Sequence, residues 1–516
     1  MPEPSQPPPP APAVTPAERP PAARSLDLQA EQVRRDLELL SYPERSWLPP
    51  RSTADGQPIY DVLIVGAGQG GLAAAFGLMR ERITNILVVD ENPADRAGPW
   101  LNFARMRTLR TPKYLTGPDL GIPSLTPRAW YEAQHGAGSW QALGLIPKEL
   151  WADYLAWYRR TLDIPVRART RAGALAWNAA ERCWDVPCVE VAAPSPGATS
   201  PSSSPSSSPP TPTGEDAGPP ATVLHARRVV LATGIEGSGQ WAIPDMIARA
   251  LPRHLYAHTR WAIDFEALRG KRVAVLGCGA SAFDNASTAL DQGAREVRLY
   301  FRRKDLVRVN AYRWAEFVGF LRHMGDLPDA DKWRFVSQIV RMGQLPPTDT
   351  YRRATEHAGF HLQPGSAWRS VEARRDGVIV IDTASGTYEA DFVIVGTGFV
   401  TDLSLRPELA LVEQDIARWS DRYTPPAAER NEDLLRHPYL GPSFEFTERT
   451  PGSAPHLGTL YNYTFGGLLS LGFGGASISG MKYSIPRLVG GITRSFFLED
   501  RDAYFDSLCS FGEREI

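Results

Sequence analysis

The stretch that decides the fold is DVLIVGAGQGGLAAAFGLMRERITNILVVDEN, residues 61–92. It contains a buried-strand pattern, a loop with the spacing Gly66-x-Gly68-x-x-Gly71, a helical pattern and a second strand. In dinucleotide-binding units the first glycine permits a tight turn, the second lets the backbone approach a pyrophosphate, and the third allows close helix–strand packing. The N–H groups and the positive dipole end of the helix then favour phosphate. The stretch predicts a Rossmann-like unit.

Two acids end the second strand of this unit. Asp90 and Glu91 follow the last glycine by about twenty residues, where a ribose hydroxyl is held in such units. One sequence does not decide which carboxylate points inward. The glycine motif in isolation is weak evidence, because tight turns without a ligand also have it. Strand, helix, second strand and acid together indicate a nucleotide site.

A second unit of the same kind begins at GKRVAVLGCGASAF. Its loop has Gly277, Gly279 and, in place of the third glycine, Ala282; its second strand ends in Arg302 and Arg303 rather than in an acid. A carboxylate there would repel the 2′-phosphate of NADP, whereas an arginine fork binds it. We therefore expect NADPH rather than NADH. A solvated strand end is the alternative interpretation of the arginine pair.

An internal similarity predicts how the units are built. The segments HARRVVLATGIEG (225–237) and YEADFVIVGTGFVT (388–401) each close an apolar strand with Thr-Gly, and each follows a predicted β-meander. The expected fold class is α/β, with two Rossmann-like dinucleotide-binding domains of the two-domain FAD/NAD(P) flavoprotein type. Residues 58–245 and 395–516 would form the FAD-binding domain, and residues 246–394 the NADPH-binding domain.

Two segments have compositions that cannot form a packed core. Residues 1–25 are rich in Pro and Ala, which predicts a disordered tail, and the segment after them has helical spacing. Residues 194–220 are rich in Pro and Ser and separate two strand-like segments, so a disordered insertion in a β-hairpin is favoured over a domain linker. The spacing of Trp151, Tyr154 and Tyr158 predicts a helix that packs into the core.

Composition and charge argue against several partners. The chain has 516 residues, of which 56 are basic and 58 acidic, and this balance gives no case for a nucleic acid or an anionic membrane surface. Four cysteines argue against a disulfide framework and fit a reducing cytoplasm. We expect neither a secretory signal nor a membrane span, because no apolar run is long enough. Homo-oligomerisation is left open.

Two nucleotide sites predict a redox relay in which NADPH delivers hydride to FAD. The electrons would then pass to a disulfide, to oxygen or to another acceptor. Cys183 and Cys188 have a spacing found in some flavin disulfide reductases, but they lie in a β-hairpin pattern far from the acid that follows the first glycine loop. This position disfavours disulfide reduction. No metal-ligand motif or serine-hydrolase motif occurs, so no metal site is expected.

The motifs resemble those of class B flavoprotein monooxygenases, which comprise flavin-containing monooxygenases, Baeyer–Villiger monooxygenases and amine N-hydroxylases. GAGQGGLAAA resembles their FAD loop, GCGASAFD their NADPH loop, and ENPADRAGPW their segment from the ribose acid to Gly-Gly-x-Trp, which makes Glu91 the ribose acid. LATG and VGTGFVTD resemble their two Ala-Thr-Gly strand ends. The linker LPRHLYAHTRW departs from the family's fingerprint, which favours the group that includes N-hydroxylase-like proteins and flavin-dependent urate hydroxylases.

This resemblance, which covers about residues 58–490, implies an NADPH- and O2-dependent FAD monooxygenase that oxygenates a small molecule through a C4a-(hydro)peroxyflavin. The alternatives are urate hydroxylase-like or amine N-hydroxylase activity, an uncoupled NADPH oxidase or reductase, and a non-enzymatic flavin-binding redox sensor. The expected FAD contacts are Gly66, Gly68, Gln69, Gly70, Gly71, Asp90, Glu91, Trp100, Thr233 and Gly234. The expected contacts of the second unit and its strand end are Gly277, Gly279, Ala280, Ser281, Ala282, Asp284, Arg302, Arg303, Thr397 and Gly398.

A basic stretch supplies the catalytic candidates. In the family this region lies against the flavin ring, and here it carries Arg107, Arg110 and Lys113. These cations would face an anionic flavin N1 region or an anionic substrate; phosphate contacts or a solvated loop are the alternatives. His258 stands where the family's linker has a histidine. The start of a late helix, around residues 477–482, would face the flavin pyrimidine and stabilise negative charge.

Overall fold

A computed structural model of the protein describes residues 22–115, 117–192 and 222–515. The strands, in chain order, are β1 (Arg51–Ser52), β2 (Pro58–Val65), β3 (Ile86–Val89), β4 (Val166–Arg167), β5 (Thr170–Ala172), β6 (Ala176–Asn178), β7 (Cys183–Glu190), β8 (Thr222–Leu231), β9 (Gly239–Trp241), β10 (Tyr256–His258), β11 (Arg272–Leu276), β12 (Glu296–Tyr300), β13 (Phe360–Gln363), β14 (Trp368–Ala373), β15 (Ile379–Thr383), β16 (Gly386–Ala390), β17 (Phe392–Val395), β18 (Phe399–Thr401) and β19 (Leu460–Asn462).

The α-helices alternate with these strands. In chain order they are α1 (Ala22–Leu39), α2 (Gln69–Arg80), α3 (Pro127–His135), α4 (Ser139–Ala142), α5 (Lys148–Thr161), α6 (Asp245–Ala250), α7 (Ala280–Asp291), α8 (Ala311–Trp314), α9 (Val318–His323), α10 (Asp329–Met342), α11 (Thr348–Thr355), α12 (Trp419–Arg422), α13 (Glu432–Leu435), α14 (Leu468–Leu471), α15 (Ile478–Glu499) and α16 (Arg501–Cys509). Among the described helices, none combines the length and the apolar character that crossing a bilayer requires.

The first glycine loop leaves the centre of a nine-stranded sheet with the order β4-β3-β2-β8-β7-β5, to which β1, β6 and β19 are joined at the side. Strand β2 runs parallel to β3 and β8, and its uninterrupted apolar run is buried because both faces of a parallel strand are covered. Helix α15 covers α2: a Cβ added at Gly77 would lie 2.8 Å from Val489 Cγ2. The late helix is thereby fixed against the helix of the glycine loop.

The second glycine loop leaves a five-stranded, wholly parallel sheet with the order β10-β17-β11-β12-β13. The antiparallel sheet β14-β15-β16 is the meander that leads into β17. These two Rossmann-type sheets confirm the predicted fold class. Strand β17 is the last strand of the second sheet in chain order, and it ends at Val395, one residue past the predicted end of the NADPH-binding domain. The division into domains stays a prediction.

The predicted hairpin around the Pro/Ser-rich segment is present, since β7 pairs antiparallel with β8. The insertion 194–220 itself lies outside the described residues. Helix α1 begins at Ala22, so the last residues of the predicted tail 1–25 belong to this helix, and the remainder also lies outside the described residues. The aromatic face of α5 is fully buried, as predicted, with Trp151, Tyr154 and Tyr158 at 0% exposure.

A buried ion network fastens the end of α15 to the first sheet. The guanidinium of Arg227 on β8 is fully buried and donates to Asp500 Oδ2 at 2.7 Å, and Arg228 donates to Glu499 Oε2 at 2.7 Å. Burial by itself would raise the pKa of Glu499, but the charges of Arg228 and Arg227 outweigh burial and lower this pKa to about 2. The network thus holds α15 at the end opposite its contact with the glycine loop.

We predict that Glu499→Gln lowers the free energy of unfolding by on the order of 3 kcal/mol near neutral pH, because each pKa unit is worth about 1.4 kcal/mol. The folded pKa lies below the model-compound value of 4.5. The contribution is therefore fully present above about pH 4.5 and is lost as the pH falls toward 2. Urea unfolding of both proteins at neutral pH and near pH 4 measures the difference.

The matched control is Glu432→Gln, which removes an exposed carboxylate that pairs with Arg430. An exposed ion pair contributes little, so this change should leave stability unaltered. A loss for Glu499→Gln that is no larger than that of the control would contradict the role of the network.

Candidate functional site

The first glycine loop is shaped by close contacts of its backbone. Gly66 has φ of +108°, and an added Cβ would lie 2.6 Å from the carbonyl oxygen of Ala232; an added Cβ at Gly71 would overlap the carbonyl oxygen of Gly66. Gly68 caps α2 with φ of −69°, and the nearest atom to an added Cβ there is Gly98 Cα at 3.8 Å. Two glycines are therefore required by the fold, whereas the second glycine leaves open space at the helix N-terminus.

The second loop repeats this arrangement. Gly277 has φ of +123°, and an added Cβ would overlap the carbonyl oxygen of Gly396, whereas Gly279 caps α7 with no atom within 4 Å of an added Cβ. Ala282 replaces the third glycine. Its methyl group fits because the neighbouring strand end supplies Gly396, where an added Cβ would lie 2.8 Å from Ala282 Cβ. Each helix therefore presents open space at its N-terminus, which is where a pyrophosphate binds.

The two acids after β3 point in different directions. Asp90 is buried: its Oδ2 accepts from the Ala67 N–H at 2.7 Å, and its Oδ1 accepts from the Asn92 N–H at 2.8 Å. Glu91 points outward and pairs with Arg171 at 2.9 Å. The resemblance favoured Glu91 for the ribose, but the structure turns Asp90 toward the glycine loop. The ribose contact stays a prediction, and Asp90 is the residue placed to make it.

A shallow cleft, open to solvent, lies beside Asp90 and Asn92. One wall of the cleft comes from α5, which was predicted only to pack into the core. The α5 residues on this wall are Ala152, Leu155, Ala156 and Arg159. Their spacing of i, i+3, i+4 and i+7 is the signal that could have indicated a shared face.

Several buried polar atoms around the first loop lack a protein partner. Among the described residues, Thr233 Oγ1 and Trp100 Nε1 are buried and make no hydrogen bond with another protein atom. Gln69 instead accepts from Trp151 Nε1 at 3.1 Å, and an added Cβ at Gly70 would lie 2.9 Å from the carbonyl oxygen of Gly475. Open space at Gly68, a cleft beside the acid and unpartnered polar atoms together fit a bound FAD.

The Thr-Gly turn that ends the first unit's strand adds a further backbone feature: Gly234 has φ of +86°, which favours glycine. In the second unit, Thr397 Oγ1 donates to the carbonyl oxygen of Ala242, and Gly398 has φ of +83°. The two strand ends that looked alike in sequence therefore both finish in left-handed glycines. Both turns follow strands that are hydrogen-bonded to the strand before a glycine loop.

The arginine pair lies next to the second glycine loop. Burial raises the pKa of the Cys278 thiol in this loop, and the charges of Arg303 and Arg302 act in the opposite direction. Arg303 also donates to the carbonyl oxygen of Arg341 at 3.1 Å. Ala280 and Ser281 open α7 directly above the loop. Both arginines therefore lie close enough to the loop to act electrostatically on its thiol, and their contact with a 2′-phosphate stays a prediction.

Asp284, a predicted nucleotide contact, makes a different interaction. Its buried carboxylate accepts from Arg110 Nη2 at 2.8 Å and from Thr350 Oγ1 at 3.1 Å. Arg107 pairs with Asp291 at 2.8 Å, also on α7, and Lys113 donates to the carbonyl oxygen of Trp140. The three cations of the basic stretch are therefore not brought together. Two of them connect the first unit to α7, and their predicted catalytic role stays a prediction.

His258 lies in the linker between the two units and is fully buried. Its Nε2 lies 3.1 Å from the carbonyl oxygen of Gly398, and its Nδ1 accepts from the Arg260 N–H at 3.1 Å. Burial lowers the pKa of this imidazole to about 4. A neutral ring with both nitrogens bonded to the backbone holds the linker against the Thr-Gly turn. The predicted catalytic role of His258 stays a prediction.

The N-terminus of α15 lies beside the N-terminus of α2. The carbonyl oxygen of Gly475, just before α15, would lie 2.9 Å from a Cβ added at Gly70, and Ser477 occupies the N-cap position of α15 without a side-chain cap bond. Ser479, in the first turn, donates to Glu316 Oε1 at 2.9 Å, and burial raises the pKa of Glu316. Two helix N-termini that meet at one place favour a negatively charged ligand between them.

Comparison with known proteins shows the family to which this chain belongs. Residues 63–180 match a family model described as FAD-NAD(P)-binding. The chain is 44% identical to the FAD-dependent urate hydroxylase of Xanthomonas campestris pv. campestris over 492 residues. This alignment covers 95% of this chain and 97% of that protein. The chain belongs to the family of this urate hydroxylase. It is an FAD-dependent monooxygenase, and the predicted cofactors FAD and NADPH agree with this membership.

Solved structures confirm the fold. The ornithine hydroxylase of Pseudomonas aeruginosa superposes with a TM-score of 0.61 at 14% identity, over 84% of this chain and 99% of that chain. The ornithine N-hydroxylase of Kutzneria sp. 744 also has a TM-score of 0.61 at 14% identity, over 85% of this chain and all of that chain. At this identity the likeness establishes the two-domain flavoprotein fold and nothing about the substrate.

The open space at the second glycine of each loop gives a matched pair of variants. We expect Gly68→Ala to fold but to bind FAD at least about tenfold more weakly, because the methyl group occupies the space of the pyrophosphate. Gly279→Ala should retain FAD and raise the KM for NADPH at least about tenfold. Flavin content after dialysis and steady-state kinetics measure the two effects. Loss of FAD from Gly279→Ala, or unchanged FAD affinity in Gly68→Ala, would contradict the assignment.

Proposed function

We propose that the protein is an NADPH- and O2-dependent urate hydroxylase. The observation that carries this proposal is the 44% identity to a urate hydroxylase along 95% of the chain, which includes both nucleotide units and the linker between them. FAD, held at the first glycine loop, would supply the redox chemistry that links NADPH and O2 to oxygenation of the substrate. The protein's own residues bind the two nucleotides, orient them and exclude water.

A surface between the units suits a flat, anionic substrate. The guanidinium of Arg260 lies 3.9 Å from the ring centroid of Phe103, and Trp241 packs edge-to-face against the same ring with centroids 5.9 Å apart. Arg105 enters from the basic stretch and donates to the carbonyl oxygen of Trp261 at 2.9 Å. Trp241 Nε1 is buried without a partner among the described residues. Aromatic faces and guanidinium planes stack on purine rings, and the cations favour an anion.

Amine N-hydroxylation is the second candidate and has weaker support. The ornithine hydroxylases share the fold at 14% identity, and a fold hosts many substrates. Arg105 donates to backbone carbonyl oxygens, whereas Arg260 is paired with Glu236 at 3.2 Å, so the positive charge that disfavours a cationic amine is that of Arg105. The four cysteines are free thiols, which supports the predicted location in a reducing cytoplasm.

The experiment is a coupled assay on FAD-loaded protein with NADPH, O2 and either urate or ornithine. The proposal expects urate to accelerate NADPH consumption and to disappear in proportion to it, with little hydrogen peroxide formed. Ornithine should have no effect. Equal hydrogen peroxide production with and without urate would show an oxidase, and consumption of ornithine instead of urate would show an N-hydroxylase; either result overturns the proposal.

The arginine pair yields a prediction about nucleotide choice. Arg302→Gln should raise the KM for NADPH at least about tenfold and leave the KM for NADH unchanged, because only NADPH carries the 2′-phosphate. The control is Arg295→Gln, which makes the same charge change at the opposite, exposed end of β12. An equal effect of both variants would indicate general electrostatics rather than phosphate recognition.

A further inference from the structure

The face of the β7–β8 hairpin opposite Trp184, Val186 and Cys188 carries three side chains that the redox chemistry does not use. Asp185 on β7 is paired in register with His225 on β8, and Cys183 lies two residues before Asp185. Side chains two apart on a strand point to the same face. Trp184, Val186 and Cys188 occupy the other face of β7 and belong to the hydrophobic core. The hairpin therefore presents a thiol, a carboxylate and an imidazole side by side.

We propose that Cys183, Asp185 and His225 bind a divalent transition-metal ion of the zinc class. One ligand atom from each residue lies within 4.8 Å of the other two. Asp185 Oδ1 is 2.7 Å from His225 Nδ1 and 3.9 Å from Cys183 Sγ. A tetrahedral zinc site with bonds of about 2.0 to 2.3 Å separates its ligand atoms by about 3.3 to 3.8 Å. Small side-chain rotations therefore convert the present cluster into a three-ligand site.

The charges around the cluster favour a cation. The charge of Glu181 acts on the Cys183 thiol, and the charge of Asp55 interacts with His225. Glu181 also accepts from the Ala54 N–H at 2.8 Å, which docks the turn before β2 onto this hairpin. Asp185 thus contacts both the imidazole and the thiol, and the carboxylates of Glu181 and Asp55 lie close enough to act on them electrostatically. A bound divalent cation would offset this excess of negative charge.

The ligand types select the metal. Thiolate and imidazole together with one carboxylate suit Zn²⁺, whereas Mg²⁺ and Ca²⁺ prefer oxygen ligands only. Cys183 is fully buried, while the side chains of His225 and Asp185 keep 16% and 29% exposure. The ion can therefore enter from the solvent side, where a water molecule or Asp55 completes four ligands. Binding forms a sulfur–metal bond and a nitrogen–metal bond, releases the thiol proton to water and leaves the imidazole proton on Nε2 instead of Nδ1, without any change of oxidation state.

The site would join the two strands that flank the 194–220 insertion, on a different part of the first sheet from the glycine loop. A structural role follows: the metal stabilises the folded protein by an amount that grows with the logarithm of its concentration over its Kd. The inference does not rest on urate as the substrate. No local sequence motif indicates this site, because its ligands lie on two strands that are brought together only in the fold.

The test uses full-length, FAD-loaded protein treated with EDTA and carrying Cys509→Ser, because Cys509 is an exposed thiol. Calorimetric titration with Zn²⁺ should show about one site per chain. Co²⁺ should produce a thiolate-to-metal charge-transfer absorption band, and Zn²⁺ should raise the Tm. In Cys183→Ser and His225→Ala we expect at least about tenfold weaker Zn²⁺ binding, and in Cys183→Ser no charge-transfer band.

Cys188→Ser is the matched control, since it removes a buried thiol from the opposite face of the same strand. It should keep the Zn²⁺ affinity and the Co²⁺ band of the parent protein. FAD content and circular dichroism establish that each variant is folded. Absence of Zn²⁺ binding in the parent, binding that survives Cys183→Ser, or an equal loss in Cys188→Ser would overturn the proposal.

Discussion

The close approach of backbone to backbone at the two glycine loops is the constraint on which the rest of the structure depends. At Gly66 and Gly277 the turn runs against the carbonyl oxygen of a neighbouring strand end, with no room for a side chain. These contacts aim the N-termini of α2 and α7 outward from their sheets. Each helix then offers unpaired N–H groups and a positive dipole end to a pyrophosphate. Because the chain forms this turn twice, it offers two pyrophosphate sites, and a relay between two nucleotide cofactors requires both.

The remainder of the chain positions these two units relative to each other. The long helix α15 begins beside the first loop, where Gly475 lies against Gly70, and the buried network of Arg227, Arg228 and Glu499 holds its far end. The basic stretch is bound to α7 through Arg110 and Asp284. Breaking a buried pair of this kind leaves a charge without compensation, so the connection between the units is strongly maintained.

The fold and the nucleotide loops could be predicted because their signals are local. Glycine spacing, strand patterns and the acid or arginine at the end of the second strand all lie within one βαβ unit. The partners of the charged candidates could not be predicted, since they come from elements distant in sequence: Asp284 meets Arg110, and His258 meets Gly398. Which of Asp90 and Glu91 faces the glycine loop could also not be predicted, because adjacent residues at a strand end differ only in the face to which they point. The cluster of Cys183, Asp185 and His225 could not be predicted either, because its members lie on two different strands.

The central claim is that the two units form one relay, with the nucleotide of the second reducing the flavin of the first. The most direct measurement is anaerobic stopped-flow mixing of FAD-loaded protein with one equivalent of NADPH. The account predicts loss of the oxidised-flavin absorbance in a single reduction step, at a rate at least equal to that of steady-state turnover. A flavin that stays oxidised while NADPH is bound, or is reduced more slowly than the enzyme turns over, would contradict it.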